Sequence, residues 1–523
     1  MDYSVRIDPP PTAGAVAAPH AAASEAGAVA LRAGGTAVDA AIAAAAALSV
    51  VYPHNCGVGG DLFALVAEPD GRVLSINASG PAAGFVDVEK LRALGNTMPT
   101  DGVHPVTVPG AVAGWERLHQ IGGRLPWKQV LAEAQRLAGE GVPVSPGLAG
   151  AIQGASGVDT DPGLAEVFAP GGRRLGVGDR LVQPRLAATL RAIADDGAST
   201  LYRGAVAEAL VRGLRAQGSA LTAADFSDYA PTILEPLSAG FRGFEVMTSP
   251  PNSSGVLLLQ ALLALEASAA SDPLRAGAGP LGAIFAVGND QRQRMLCDPD
   301  FHPFDRDAWL GASRIAEIAG GHVASADTPA ADAAGDTIAV VAVDEDGRAV
   351  SLIQSLFFGF GAEILEPTTG IVLHNRGSSF SLIPGHPNVI APGKRPAHTL
   401  MPVMVRRGGS VIGVLGTMGG QVHAQIHAQL LLALLAGAPP ADAVAAPRFA
   451  VWPASAGEVT PTARVEADVE PAAVASLAAA GFGVATIPSQ SSAVGHAQVL
   501  WHDEDWQGGS DPRADGGVAR VRR

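Results

Sequence analysis

The order of elements in the sequence predicts stacked β-sheets covered by helices, and three observations carry that prediction. Helical stretches dominate the chain up to about residue 320, a strong hairpin occupies 337–355, and further strands at 371–374, 400–406 and 410–415 precede a helix at 423–436. A strand-rich segment set between helical ones buries its apolar faces by stacking sheets and laying helices over them. The length of 523 residues admits two or three domains or one large α/β unit.

Residues 22–35 read as a helix with Ser24 as N-cap and a stop at Gly34-Gly35. Val38 to Val51 is apolar on every side, which predicts a buried helix ending before Pro53. The glycine turn CGVGGD (56–61) leads into a strand from Leu62 to Ala67. Further helices are expected at 127–139, 184–195, 204–216 and 256–268, and small-residue loops at 267–283 and 319–336. Then the texture changes. Thr337 to Val343 (TIAVVAV) is a strand, Asp344 to Gly347 a turn, and Arg348 to Ser355 the return strand.

Composition narrows the function. Hydrophobic residues at 48% and charged residues at 16% describe a folded chain rather than a disordered one. A formal net charge of -15, with no basic cluster, argues against nucleic acid as a partner. The two cysteines, Cys56 and Cys297, are far apart, which fits a reducing compartment and no cysteine-based zinc site. Prolines interrupt the N-terminus where a secretory signal would be apolar, and the run from Ala40 to Tyr52 is too short to span a bilayer. A soluble, cytoplasmic protein with no membrane partner is expected.

Chemistry concentrates where loop meets hairpin. A threonine opening a strand is ordinarily just a β-former. Its meaning changes if the bond between Asp336 and Thr337 is cut. Thr337 would then own a hydroxyl nucleophile and a free α-amine, whose reference pKa of roughly 7.7–8.0 suits it to act as base at neutral pH. No histidine or third residue would then be required.

The stretch GDTIAVVAVDEDGRAVSLIQSLFFGFG (335–361) resembles the segment that opens the small subunit of γ-glutamyltransferases. The resemblance extends over nearly the whole chain. Upstream it includes 23–53 with GVGGDLFAL (57–65), VPGAVAGW (108–115), PPNSSGVLLLQ (250–260) and DPDF (298–301). Downstream it includes NRGSSFSL (375–382), GKRPAHTLMP (393–402), GTMGG (416–420), APRF (446–449) and SDPRADGG (510–517). Each piece is weak alone; their shared order makes the resemblance specific.

The resemblance implies an α+β fold, the αββα sandwich of N-terminal-nucleophile hydrolases with two mainly antiparallel sheets between helices. It implies self-cleavage into a large fragment, 1–336, and a small catalytic one, 337–523, interwoven as one domain and remaining associated. Thr337 takes the nucleophile's place and Ser355 that of a hydroxyl residue tuning it. Gly419 and Gly420 match the pair whose N–H groups form an oxyanion hole, where glycine lets backbone approach the charge. An acyl-threonine intermediate would form from a small amide and pass to water or an amine, with no metal or organic cofactor.

Departures concern recognition. Where the family holds a γ-glutamyl α-ammonium, this chain has Phe357, Arg376 and Ser379, and its serine pair is replaced by His398 and Thr399. A guanidinium suits a carboxylate and repels an ammonium, so a carboxylate-bearing acyl group without an ammonium is expected. FFGFG with NRG resembles the lidless branch of oxamate amidohydrolase-like and acylase-like proteins. The alternatives are a true γ-glutamyltransferase or glutathione hydrolase, a C–C bond hydrolase using the same threonine, and an unprocessed non-catalytic member. GVGGD lacks the spacing of a nucleotide-binding fingerprint. His423 and His427, four apart without an intervening HExxH glutamate, read as packing or surface residues rather than metal ligands. Glu25 and Asp39 read as structural.

Overall fold

The computed structural model describes residues 12–268, 270–321, 336–452 and 461–522. Most of the loop expected at 319–336 therefore lies outside the described residues. Two antiparallel sheets form the centre. One has seven strands in the spatial order Gly517–Arg522, Thr12–Ala18, Asp336–Asp344, Ala349–Phe357, Asp61–Ala67, Val73–Ala78 and Thr232–Leu234. The other has six, in the order Trp506–Ser510, His496–His502, Ser410–Met418, Val403–Arg407, Phe244–Thr248 and Leu237–Phe241. Both sheets combine strands from before and after position 337.

Side-chain alternation shows how the layers stack. Along Asp336–Asp344, Ile338, Val340 and Ala342 join a core shared with the N-terminal helices. Val341 and Val343 instead meet Met404, Val414 and Leu500 of the second sheet, while Ala339 packs with Phe63, Ile353 and Leu400. A third core lies between the second sheet and the helices Gly255–Ser268, Ala278–Met295 and His423–Leu435. The result is helix, sheet, sheet, helix. Odd-numbered residues of 337–343 face between the sheets, and that parity places Thr337.

The helix Ala37–Val51 is buried along its whole length. Its start is fixed by a capping box in which Asp39 N–H donates to Thr36 Oγ1 (3.3 Å) and Thr36 N–H to Asp39 Oδ2 (2.8 Å), a device that contributes about 1 kcal/mol. Asp39 thus has a structural role, and Glu25 is an exposed partner of Arg32. Three expectations need correction. The first helix spans Ala21–Arg32 and is capped by His20, whose Nδ1 accepts from Ala22 N–H at 3.2 Å. Ser24 lies inside it, donating to Gly517 O at 2.7 Å. The helix expected at 127–139 is broken at Leu131 into Trp127–Val130 and Ala132–Glu140. Residues 278–283, read as loop, begin the helix Ala278–Met295; burial of Ala278, Leu281 and Phe285 outweighs the cost of its glycines. Among the described residues no helix is long and apolar enough to cross a membrane.

Candidate active site

The hairpin strands are in register from Ala349↔Val343 to Gln354↔Ile338; the next pair is Phe357↔Asp336. One strand advances three residues while the other advances two, which is a β-bulge at Ser355-Leu356. Gln354 faces the helices, where its amide accepts from Trp115 Nε1 (2.9 Å) and donates to Gly57 O (3.1 Å). Ser355 therefore faces between the sheets, on the side of Thr337. Thr337 Oγ1 donates to Ser355 Oγ at 3.1 Å, and Phe357 N–H donates to the same oxygen at 2.8 Å. Ser355 in turn donates to the carbonyl of Asp336 at 2.6 Å. The serine hydroxyl spends its one proton on the carbonyl of the Asp336–Thr337 peptide bond and accepts from the threonine.

Neighbouring backbone fixes this end of the hairpin. Asn55 Nδ2 donates to Thr337 O at 3.3 Å, and Leu356 N–H donates to Asn55 O at 3.0 Å. The GVGGD turn lies directly beneath, since a Cβ on Gly60 would run into Ser355 O. Thr337 is 1% exposed. Asp336 is half-buried, and loss of water pushes its carboxyl up to about 7.

Gly419 and Gly420 end the strand Ser410–Met418 of the opposite sheet, just before the helix His423–Leu435. Gly416 lies against Ala339, and Val414 shares a core with Val341. Two residues further along each strand, Met418 comes level with Thr337, and Gly419 and Gly420 follow it directly in the chain. Gly420 has φ +53°, and a Cβ on Gly419 would collide with Ile426. Both positions thus favour glycine through backbone conformation, with φ +159° at Gly419 and +53° at Gly420.

The recognition candidates Phe357, His398 and Thr399 gather around Arg376, itself 1% exposed. Phe357, at φ +83°, stacks its ring on the guanidinium with Cζ 3.3 Å from the ring centroid. That backbone conformation costs a non-glycine residue about 1–3 kcal/mol. Arg376 Nη1 approaches His398 Nδ1 at 3.5 Å and Thr399 Oγ1 at 3.4 Å. Its Nε and Nη2 are buried and have no partner. Burial lowers the Arg376 pKa to about 9, with Asp61 opposing the shift and Arg292 adding to it, so the group stays cationic at neutral pH. Neither nearby glutamate neutralises it: Glu363 accepts from Ser156 at 2.7 Å and Glu366 from Thr369 at 2.7 Å.

Ser379 differs from the other recognition candidates. Its hydroxyl is directed to the carbonyls of Arg376 (3.0 Å) and Ala397 (2.9 Å), fastening the loop. His423 and His427 are buried on successive turns of one helix, which excludes the surface reading. Burial holds His423 well below the usual histidine range and His427 at about 3. Among the described residues no three His, Cys, Asp or Glu side chains gather as a metal site. Asp61 and His374, which the sequence analysis did not single out, lie beside His398 with Asp61 Oδ2 3.2 Å from His398 Nε2 and 3.5 Å from His374 Nδ1. No local pattern marks them, because strand pairing and a distant loop bring them together.

The sandwich and the strand-end site define an N-terminal-nucleophile-type hydrolase. The chain belongs to the gamma-glutamyltranspeptidase family, whose model matches residues 23–521. It is 34% identical over 521 residues to the glutathione hydrolase-like YwrD proenzyme of Bacillus subtilis, covering 97% of this chain and 98% of the relative. It is 32% identical over 529 residues to the oxamate amidohydrolase proenzyme of Klebsiella pneumoniae, with coverage of 97% and 98%. Cephalosporin acylase from Bacillus halodurans superposes with a TM-score of 0.89 at 33% identity, covering 99% of this chain and 98% of that one. The protein is thus an amidohydrolase of this family, in its oxamate amidohydrolase- and acylase-like branch.

Proposed function

We propose that the chain is a self-processing N-terminal-threonine amidohydrolase acting on small amides whose acyl group carries a carboxylate. The observation that carries the reaction is the chain of hydrogen bonds from Thr337 Oγ1 through Ser355 Oγ to the Asp336 carbonyl. In maturation Thr337 Oγ attacks the Asp336 carbonyl carbon, polarised by Ser355, and the peptide C–N bond breaks as an ester forms. Water opens the ester, leaving Asp336 as a carboxylate and Thr337 with a free α-amine. The fragments 1–336 and 337–523 stay associated because they share both sheets.

In turnover the α-amine accepts the Thr337 hydroxyl proton as Oγ attacks the substrate amide, and returns it to the leaving amine. The backbone N–H groups at Gly419 and Gly420 stabilise the oxyanion. The acyl-threonine ester then passes to water or to an amine acceptor.

Substrate class follows from Arg376. Its free Nε and Nη2 are the two donors of one guanidinium edge, the geometry that grips a carboxylate bidentately. A buried ammonium beside that charge would be repelled and left without an acceptor. The oxamate amidohydrolase relative is named for an amide of this type. The test compares glutaryl- with γ-glutamyl-p-nitroanilide, which differ only in the amino group. The glutaryl compound should have the higher kcat/KM; a tenfold preference for γ-glutamyl, about 1.4 kcal/mol, would restore the glutathione hydrolase reading.

A further inference from the structure

Asp61 opens the strand Asp61–Ala67 opposite Ser355 and is 1% exposed, yet nothing in the reaction above uses it. Its Oδ1 accepts from Gly80 N–H at 3.1 Å. Its Oδ2 faces two imidazoles, His398 Nε2 at 3.2 Å and His374 Nδ1 at 3.5 Å. Burial works against its charge, but the two histidines hold the carboxyl well below its ordinary range. A carboxylate is thus kept ionised in the core, which is costly unless its charge serves a partner.

Two imidazoles share that charge: His374, whose Nε2 lies 2.9 Å from Thr107 O, and His398, whose hydrogen bonds lead on to Arg376. Leu400 N–H points at His398 Nδ1 from 3.3 Å, so Nδ1 is the acceptor and the proton sits on Nε2, toward Asp61. Burial and the nearby Arg376 cation bring the His398 pKa down to about 3, consistent with a neutral ring. The lone pair of Nδ1 also faces Arg376 Nη1 at 3.5 Å. The ring itself is held by Phe63, two residues along from Asp61, with centroids 4.8 Å apart. Carboxylate, imidazole and guanidinium therefore form one line.

We propose that Asp61 is the positioning residue of the recognition site, acting through His398 to hold Arg376 with its Nε–Nη2 edge turned to the substrate carboxylate. This rests on the carboxylate reading of that site. The interposed ring has a physical purpose. A carboxylate in direct contact with Arg376 would occupy the two-donor edge itself. With His398 between them, Asp61 offsets the buried positive charge and ties down Nη1, while Nε and Nη2 stay free. Thr399 Oγ1, 3.4 Å from Nη1, and the Phe357 ring below the guanidinium complete the orientation. Asp61 touches neither substrate nor nucleophile in this arrangement, so it is not a catalytic residue.

The test uses the full chain with Asp61→Asn, which keeps shape and removes charge, and His398→Phe, which keeps a ring against Phe63 and removes both nitrogens. Kinetics are measured with glutaryl-p-nitroanilide and with valeryl-p-nitroanilide, in which a methyl group replaces the carboxylate. Both variants should mature into two fragments. In both, the glutaryl:valeryl ratio of kcat/KM should fall at least fivefold, mainly through a higher KM for the glutaryl donor. A merely structural role would lower both donors together, so a ratio within fivefold of wild type in either variant overturns the proposal. Failure of both variants to mature overturns it too, because the arm has no part in self-cleavage. If wild-type enzyme shows no preference for glutaryl over valeryl, it is the carboxylate reading that has failed, and this inference falls with it.

Discussion

The reaction centre and the recognition shell meet at Phe357 but are built from different material. Thr337 and Ser355 sit on paired strands, and the glycine pair ends a strand of the facing sheet, so their spacing is set by register and by the packing of Gly416 on Ala339. Arg376, His398 and Thr399 sit on connecting segments, held by side-chain contacts with Asp61, Phe357 and one another. A sheet tolerates few shifts, because a one-residue slip turns every side chain to the other face. Loops on a rigid scaffold can change residue by residue. On the proposed reading, the chemistry rests on the part of the fold that resists change, and specificity on the part that accepts it.

Substitution at the reaction centre should have the larger effect. Thr337→Ala should abolish both turnover and self-cleavage, leaving one 523-residue band on a denaturing gel; two bands would place the nucleophile elsewhere. Gly419→Ala keeps the N–H but strains its φ +159° backbone, and should lower kcat for glutaryl and valeryl donors alike by up to about a hundredfold, the scale for displacing one oxyanion donor. Arg376→Met should behave differently. It should cost the glutaryl donor about 1.5–3 kcal/mol, the value of a charge-assisted hydrogen bond, and reverse any discrimination against the valeryl donor. Equal losses for both donors would dissolve the distinction between the two regions.

A smaller effect concerns the cleavage site. Loss of water raises the Asp336 pKa to about 7 in the uncut chain. The folded state then binds its proton more tightly than the unfolded state, so stability falls as pH rises from about 4 to about 7. In a Thr337→Ala background, Asp336→Asn should raise Tm at pH 8 relative to its parent and leave it nearly unchanged at pH 4; Asp336 is half-buried, so the shift should be modest. An equal change at both pH values would remove the carboxyl as its cause. The smallest expected effect is that of a chelator. EDTA dialysis should leave kcat unaltered, and recovery of lost activity with zinc would revive the metal reading of His423 and His427.

The hairpin was legible because TIAVVAV and RAVSLIQS flank an acidic glycine turn, and that period and punctuation need no tertiary information. Thr337 by itself reads as an ordinary strand opener, and it is the family resemblance that singles it out as a nucleophile candidate. The helix from Ala278 is hidden by its glycines and proline, whose local preference is overruled by burial against the helices Gly255–Ser268 and Pro471–Ala479. Asp61 reads as the end of a turn, since its partners lie more than 300 residues away in sequence, on connecting segments that only the folded chain brings to it. His398 reads as a substrate contact, and its ring lies between Asp61 and Arg376. Ser379, read the same way, fastens a loop instead.

The central claim is that Thr337 becomes an N-terminal nucleophile and carries the acyl group. It is tested most directly by intact-mass and peptide analysis of purified enzyme quenched in acid during turnover of glutaryl-p-nitroanilide. The account predicts a small fragment of 523 − 336 = 187 residues, beginning Thr-Ile-Ala-Val and bearing one glutaryl ester on Thr337. A different new N-terminus, or a glutaryl group on any other residue, would contradict it.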